Sequence, residues 1–413
     1  MAMRVKLNRS DAGAIPENWQ VCPVHDKGEV VTGKALAVRA PGLQRPYLRT
    51  KNVFDGRIDI DDVLTMPMTD SQFSHFEVLP NDVLLNEGQS LELVGRCALY
   101  RNEYPERCAI QNQLIRFRAH KGTSPLFASH LFRHCQQTGV FARVALQTTS
   151  IAHLGGSRFE RLRLAWPSEE KEQVAIAEAL SDADELLAGL DGLITKKRDL
   201  KQAAMQQLLT CQTRLPGFKG KWEVKRLGQL ATLSRVSANP SAARDAMFAH
   251  FSLPAFDAGD GPVVEPGAMI GSNKFIVPEG AIMISKLNPR IPRVWAPASI
   301  PSNAVCSTEF LVLLPIESVS RSFLKYSCEA DEFRKEMEMH AIGTTGSHQR
   351  INPGQVLKIE VNVPFEQGEQ AAVAEVLFDM DTELTALKAR RDKTRALKQG
   401  MMQELLTGRT RLI

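Results

Sequence analysis

The sequence predicts an α+β protein built twice over: two mixed heads of strands and helices, each followed by one long helix. The two helices are expected to pair as an antiparallel coiled coil about a pseudo-twofold axis. Three observations predict this. Residues 172–215 recur without a gap as residues 369–412, with 23 of 44 positions identical. Self-similarity of that extent marks a duplicated unit. Within the first copy, apolar residues fall at positions 180, 183, 187, 190, 194, 204 and 208, the alternating spacing of three and four that makes a helical seam. Ahead of each copy lie short apolar runs broken by turn residues, which suit strands.

Composition sets the bounds. A chain of 413 residues with 43% apolar content is long enough for two domains with real cores. A net charge of +4 and an isoelectric point near 8.6 are mildly basic, compatible with a polyanionic partner or simply with solubility. Cys22, Cys97, Cys108, Cys135, Cys211, Cys306 and Cys328 form no CxxC, so neither a disulfide framework nor a zinc ribbon is expected. A reducing cytoplasm is the natural compartment. The first residues lack the apolar core of a signal peptide, and no run approaches the roughly 18 apolar residues of a membrane span.

In chain order, Trp19 opens the first head, and residues 46–49, 51–56 and 81–88 read as short strands and turns. Residues 113–118 alternate apolar and polar, as a half-buried strand does. Residues 124–141 read as a helix, with Ser124 as cap before Pro125, and residues 157–167 as a strand stopped by Pro167. The first long helix starts near 168–170. Glu178, Asp182 and Asp184 lie towards its start, and Lys196, Lys197, Arg198 and Lys201 towards its end, as the macrodipole favours. Lys197 and Lys201 interrupt the seam. Arg391, Thr394 and Lys398 interrupt the second copy in the same zone, which reads as solvated or kinked. Leu180, Leu187, Leu190, Leu377, Leu384 and Leu387 are expected to carry the helix pairing. Some 42 residues at about 1.5 Å each make a rod of roughly 60 Å, too long to bury its seam against one small head. The repeats are therefore expected to bury each other, with the heads at opposite ends. Trp222 restarts the pattern, residues 280–290 run from a strand into a basic loop, and residues 356–363 form a last strand before Pro364. The expected boundaries are 1–168, 169–214, 215–366 and 367–413. Between residues 20 and 145 the first head cannot be aligned with the second, so the heads read as diverged.

No catalytic or metal site emerges. His130, His134 and Cys135 have helical ligand spacing but no HExxH glutamate and no second ligand cluster, so they read as structural. GxSxG and GxxxxGK[ST] are absent, and residues 343–347 lack the lysine pair of a phosphate loop. Asn288-Pro289 matches the start of an amino-methyltransferase loop, but Arg290-Ile291 stand where that loop needs proline and an aromatic. Features suited to nucleic acid are better represented. Lys286, Asn288, Arg290 and Arg293 share a proline-stiffened loop, and Ser347, His348, Gln349 and Arg350 form a second polar set. In the first head, Arg49, Lys51 and Asn52, and Gln111, Asn112, Gln113 and Arg116, are comparable. Such side chains can hold phosphates or address base edges, or be plain solvated loops.

The duplicated helix, led by Pro167 then Glu172-Gln173 and by Pro364 then Glu369-Gln370, resembles the specificity subunits of type I restriction–modification systems. The helix ends at 205–210 and 402–408 look like that family's. Residues 84–89 with 94–96, and 284–290, are similar to segments of its target recognition domains. The resemblance covers essentially the whole chain. It implies a subunit without catalysis or cofactor of its own, whose two target recognition domains each read half of a bipartite, asymmetric site on double-stranded DNA. It further implies that the helices bind two modification subunits carrying S-adenosylmethionine, joined by restriction subunits that use ATP and Mg. Two other readings stay open: a coiled-coil scaffold whose heads bind proteins, and an enzyme in its own right.

Overall fold

The computed structural model describes residues 7–10, 13–16, 19–35, 40–147, 150–259, 261–343 and 349–412. The chain forms two compact units, residues 1–191 with 389–413, and residues 192–388. The long helices are Glu170–Leu209 and Gln367–Leu405, so each contributes one half to each unit.

In the first head, an antiparallel sheet runs Cys97–Leu99, Val83–Asn86, Leu114–Ala119, Gly28–Thr32. A second sheet orders Ala109–Ile110, Leu43–Leu48 and Leu64–Met68, its first pair parallel. The second head repeats the first sheet and the parallel-pair core of the second, which there grows to five strands by the addition of Lys274–Ile276 and Ser237–Ala238. Its antiparallel sheet runs Val294–Trp295, Ile282–Ser285, Phe310–Pro315, Ala231–Ser234. Its other sheet again has one parallel pair, Ala304–Cys306 with Met247–Phe251, and Val263–Pro266 on the outer edge. Each head is closed by its last strand against one near its start: Arg163–Pro167 against Trp19–Pro23, and Glu360–Pro364 against Trp222–Arg226. The divergence expected of the heads is therefore mainly one of sequence, with the core topology shared. Strand pairing demands only burial pattern and backbone bonds, which many sequences supply.

Three local expectations change. Residues 124–141 break into helices Pro125–Gln137 and Val140–Val144 at Gly139, whose φ of +74° ends the first helix. Residues 157–161 belong to a helix, Gly156–Arg161, because Phe159 turns into the core while Arg158 caps the carbonyls of His153 and Leu154. The strand starts only at Arg163. Likewise Asn352 caps a short helix, Pro353–Val356, and the last strand begins at Glu360.

Each unit pairs its two helix halves antiparallel. In the first, Ile176 and Leu180 pack with Met402, Leu405 and Leu406 beneath Trp166 and Phe127. In the second, Val373 and Leu377 pack with Leu208 and Leu209. Leu190 and Leu384 are buried, whereas Leu187 and Leu387 are half-buried. The polar interruption is not a kink, since both helices run through it, and its partly exposed charges are paired across the helices. Lys201 donates to Asp381 at 2.6 Å and Lys197 meets Glu383 at 2.7 Å. The same arrangement recurs in the first unit, where Lys398 pairs with Asp184 and Arg391 lies 3.5 Å from Asp191.

The helix starts are tied down identically. Gln173 donates to the Pro167 carbonyl at 3.0 Å and accepts from the Ser124 amide at 2.9 Å. Gln370 does the same with Pro364 (2.9 Å) and Ser320 (2.7 Å). Arg214 forks onto the buried Glu369 carboxylate at 2.9 and 2.6 Å, and Arg411 forks onto Glu172. Both helix ends close through a left-handed residue, Gly408 at φ +70° and Cys211 at φ +60°. Glycine adopts that conformation freely, while a side chain there costs about 1 kcal/mol. Cys211→Gly should accordingly stabilise the chain by about 1 kcal/mol in urea unfolding. An unchanged midpoint would mean that the cysteine side chain makes a compensating contact.

Candidate nucleic-acid interface

In the second head, strand Ile282–Ser285 delivers the basic loop onto a backbone platform. The Lys286 N–H donates to the Glu309 carbonyl at 2.9 Å, and the Ile351 N–H donates to the Lys286 carbonyl at 3.1 Å. The Asn288 N–H donates to the Gln349 carbonyl at 2.8 Å, and Leu287 bridges to Arg350. Asn288 sits at φ +52°, a left-handed conformation asparagine tolerates better than most residues, and its carbonyl accepts from Ile291. The loop is thus stiff, and it brings Lys286, Asn288, Arg290, Gln349 and Arg350 together.

Their side chains are not equally available. Among the described residues, the Lys286 and Arg290 head groups meet no hydrogen-bond or ion-pair partner, and Arg290 is exposed. Arg350 forks onto Glu309 at 3.1 Å but stays half exposed. Arg293 is different: it grips Asp257 at 2.6 and 2.8 Å with only 9% of its side chain exposed. It is an anchor for the loop and not a free cation. Ser347 and His348 lie outside the described residues.

The first-head candidates divide similarly. Asn52 is interior: its side-chain oxygen accepts from the Arg49 N–H at 2.9 Å, and its amide donates to the carbonyls of Asp59 and Asp62. Those bonds lock a turn and leave nothing for a groove. Arg116 is interior too, held by Glu29 at 2.6 Å and by the carbonyls of His75 (3.0 Å) and Glu77 (2.6 Å). Burial pushes its pKa below the usual guanidinium value. Both corrections have one cause: a polar residue between strands reads the same whether it faces solvent or spends its donors on carbonyls. Arg49 and Lys51 share Asp62, at 2.6 and 2.7 Å, and Lys51 keeps most of its surface exposed. Gln111, Asn112 and Gln113 are half-buried where strand Leu114–Ala119 begins, and the Gln111 N–H donates to Leu48. Three residues that sequence spacing passed over, Glu87, His153 and Glu309, join these surfaces through the fold alone.

His130 and His134 are core residues. His130 Nε2 lies 3.0 Å from Ser181 Oγ, and burial, reinforced by the Arg133 charge, lowers its pKa to about 3. Burial lowers that of His134 as well. Burial raises the Asp184 carboxyl, but Arg133 and Lys398 outweigh it and hold it below the usual range.

No family model matches the chain. It is 24% identical over 234 residues to the putative type I restriction enzyme MjaX specificity subunit of Methanocaldococcus jannaschii, covering 54% of this chain and 55% of that protein. The chain thus spans about half the length of that relative. To the type I restriction enzyme MjaVIII specificity subunit of the same organism it is 22% identical over 428 residues, covering 96% and 94%. The S subunit of a type I restriction–modification system from M. genitalium superposes with a TM-score of 0.58 at 17% identity, over 98% of this chain and 99% of that one. A chain from a structure of type I restriction–modification complex assembly and conformational transition gives 0.56 at 15% identity, over 95% and 99%. The fold is that of a type I restriction–modification specificity subunit. In sequence, this chain is similar to the type I restriction enzyme specificity subunits.

Two stability predictions follow from the interior groups. His130 has a depressed pKa, so the unfolded chain takes up its proton near pH 6.5 while the folded chain resists until about pH 3. Stability is complete above pH 6.5 and declines towards pH 3, with a limiting slope of about 1.4 kcal/mol per pH unit from this one group. His130→Asn should make the fall of the unfolding midpoint between pH 6.5 and 5 shallower; parallel curves would remove this assignment. Arg116→Ala should cost roughly 3 kcal/mol of stability, because two carbonyls and Glu29 lose a buried partner. Lys51→Ala should leave the midpoint within about 0.5 kcal/mol of wild type.

Proposed function

We propose that this protein is the DNA sequence-specificity subunit of a type I restriction–modification complex. Each head reads one part of a bipartite, asymmetric target on double-stranded DNA, and the paired helices are the assembly surface. Two modification subunits dock there, supplying S-adenosylmethionine and adenine methylation, and restriction subunits with ATP and Mg complete the complex. The chain itself recognises and does not catalyse, and it works in the cytoplasm; no described helix is long and apolar enough to cross a membrane.

The observation that carries the reading is the duplication: one fold made twice, with unlike side chains at the same places in the two heads. A single recognition module, duplicated and then diversified, suits a target in two unlike halves. The free cations Lys286 and Arg290 on a stiff loop are the kind of groups that hold phosphate or guanine edges. The helix repeats, in contrast, keep their reciprocal ion pairs, as a common assembly surface requires.

Adenine-methylation sequencing of cells with and without the gene tests this. Loss of one split, asymmetric motif on deletion is the expected result. If the methylome is unchanged, purified subunits are titrated with DNA. No sequence preference at fixed salt, with partner binding retained, would leave a protein-binding scaffold instead. Division of labour is tested by two variants. Lys286→Ala should weaken DNA binding and leave assembly intact, whereas Leu190→Asp, at a buried helix position, should disrupt assembly first. The reverse pattern would overturn the assignment of heads and helices.

A further inference from the structure

The shared topology of the heads gives a residue-level correspondence that their sequences hide. In the second head, the Lys286 N–H donates to Glu309, and the Lys286 carbonyl accepts from Ile351. In the first head, the Glu87 N–H donates to the Gln113 carbonyl at 2.8 Å, and the Glu87 carbonyl accepts from the Leu154 N–H at 2.8 Å. The next residue of each segment is bridged as well, Leu287 with Arg350 and Gly88 with His153. Glu87 therefore occupies the backbone position of Lys286, Gln113 that of Glu309, and His153 that of Arg350. Three independent backbone contacts fix the match, so it does not depend on side chains.

The side chains differ in sign. The second head carries Lys286, Glu309 and Arg350, with Arg350 forked onto Glu309 and Lys286 free of protein partners among the described residues. The first carries Glu87, Gln113 and His153, with His153 Nδ1 3.0 Å from Glu87 Oε2. A cation in one head is a carboxylate in the other, and a carboxylate is an amide. Gly88 makes room for this: a Cβ there would strike the Gln113 side chain. The third member of each set is solvent-accessible, with 34% of the His153 side chain and 50% of the Arg350 side chain exposed.

We infer that these three positions are specificity-determining in both heads: Glu87, Gln113 and His153 in the first, Lys286, Glu309 and Arg350 in the second. The inference rests on the proposed reading of DNA and names where that reading takes place. The chemistry differs accordingly. The cationic set suits the paired acceptors of guanine; a carboxylate and an amide suit the exocyclic amines of cytosine and adenine. Asn52 and Arg116, being interior, take no part.

The test transplants chemistry between heads. The triple variant Glu87→Lys, Gln113→Glu, His153→Arg gives the first head the side chains of the second. Gln113→Ala alone is the milder companion, since it only removes an amide. Each is assembled with its modification subunits, and its methylated sites are sequenced beside those of wild type. The expected result is a change or relaxation of bases in one half of the motif, with the other half and the spacer unaltered, in at least one variant. If both variants assemble and both methylate the wild-type motif with unchanged base preference, the inference is overturned while the proposed function stands. A wild-type complex with no sequence preference would bring down both.

Discussion

Everything else in this fold depends on a carboxylate that a small head cannot satisfy by itself. Glu172 and Glu369 are buried at the helix starts, and each is neutralised by an arginine from the end of the other repeat, Arg411 or Arg214. Removing either arginine would strand a buried charge, so a helix start is stable only when the opposite helix end is present. Asp184 with Lys398 and Asp381 with Lys201 repeat the dependence further along. Leucine seams alone would allow the helices to slide by a heptad. Paired charges at matched positions permit one register and one orientation.

The sequence disclosed most of this scaffold because duplication makes a pattern visible twice. Glu172-Gln173 and Glu369-Gln370 stood out as conserved between the copies, but their work did not: the glutamine joins the strand end to the head's helix cap, and the glutamate waits for a distant arginine. The polar interruption was legible as a break in the seam and not as its lock. Periodicity counts apolar residues and cannot see which lysine will face which aspartate. The heads were legible as mixed strands and turns, yet Phe159 shows where that reading fails. Alternation over five residues fits a strand or a turn and a half of helix equally, and the Arg158 cap decides between them.

The interface was legible in part for a related reason. Residue type picks out cations, and the loop from Lys286 to Arg293 contains four of the chemistry-bearing groups expected of it. Type alone does not separate Lys286 from Arg293, one free and one gripping Asp257, nor Lys51 from Arg116. The difference lies in long-range partners, 36 residues away for Arg293 and 87 for Arg116. His153 was invisible, and Glu87 showed only inside a segment similar to recognition domains, since a glutamate beside a glycine carries no nucleic-acid signal by its type until the fold sets it where its counterpart is a lysine.

The charge distribution bears on how such a chain would hold DNA. A net charge of +4 over 413 residues is small for a protein that must neutralise many phosphates alone. Much of its positive charge is already committed: Arg49 and Lys51 to Asp62, Arg293 to Asp257, Arg350 to Glu309. Each such pair lowers the return on contacting a phosphate, because a protein partner must be given up. Under the proposed function, the heads therefore contribute discrimination more than affinity. On that reading, phosphate neutralisation would fall to subunits docked on the helices, and the salt dependence of binding would belong to the assembled complex rather than to this chain.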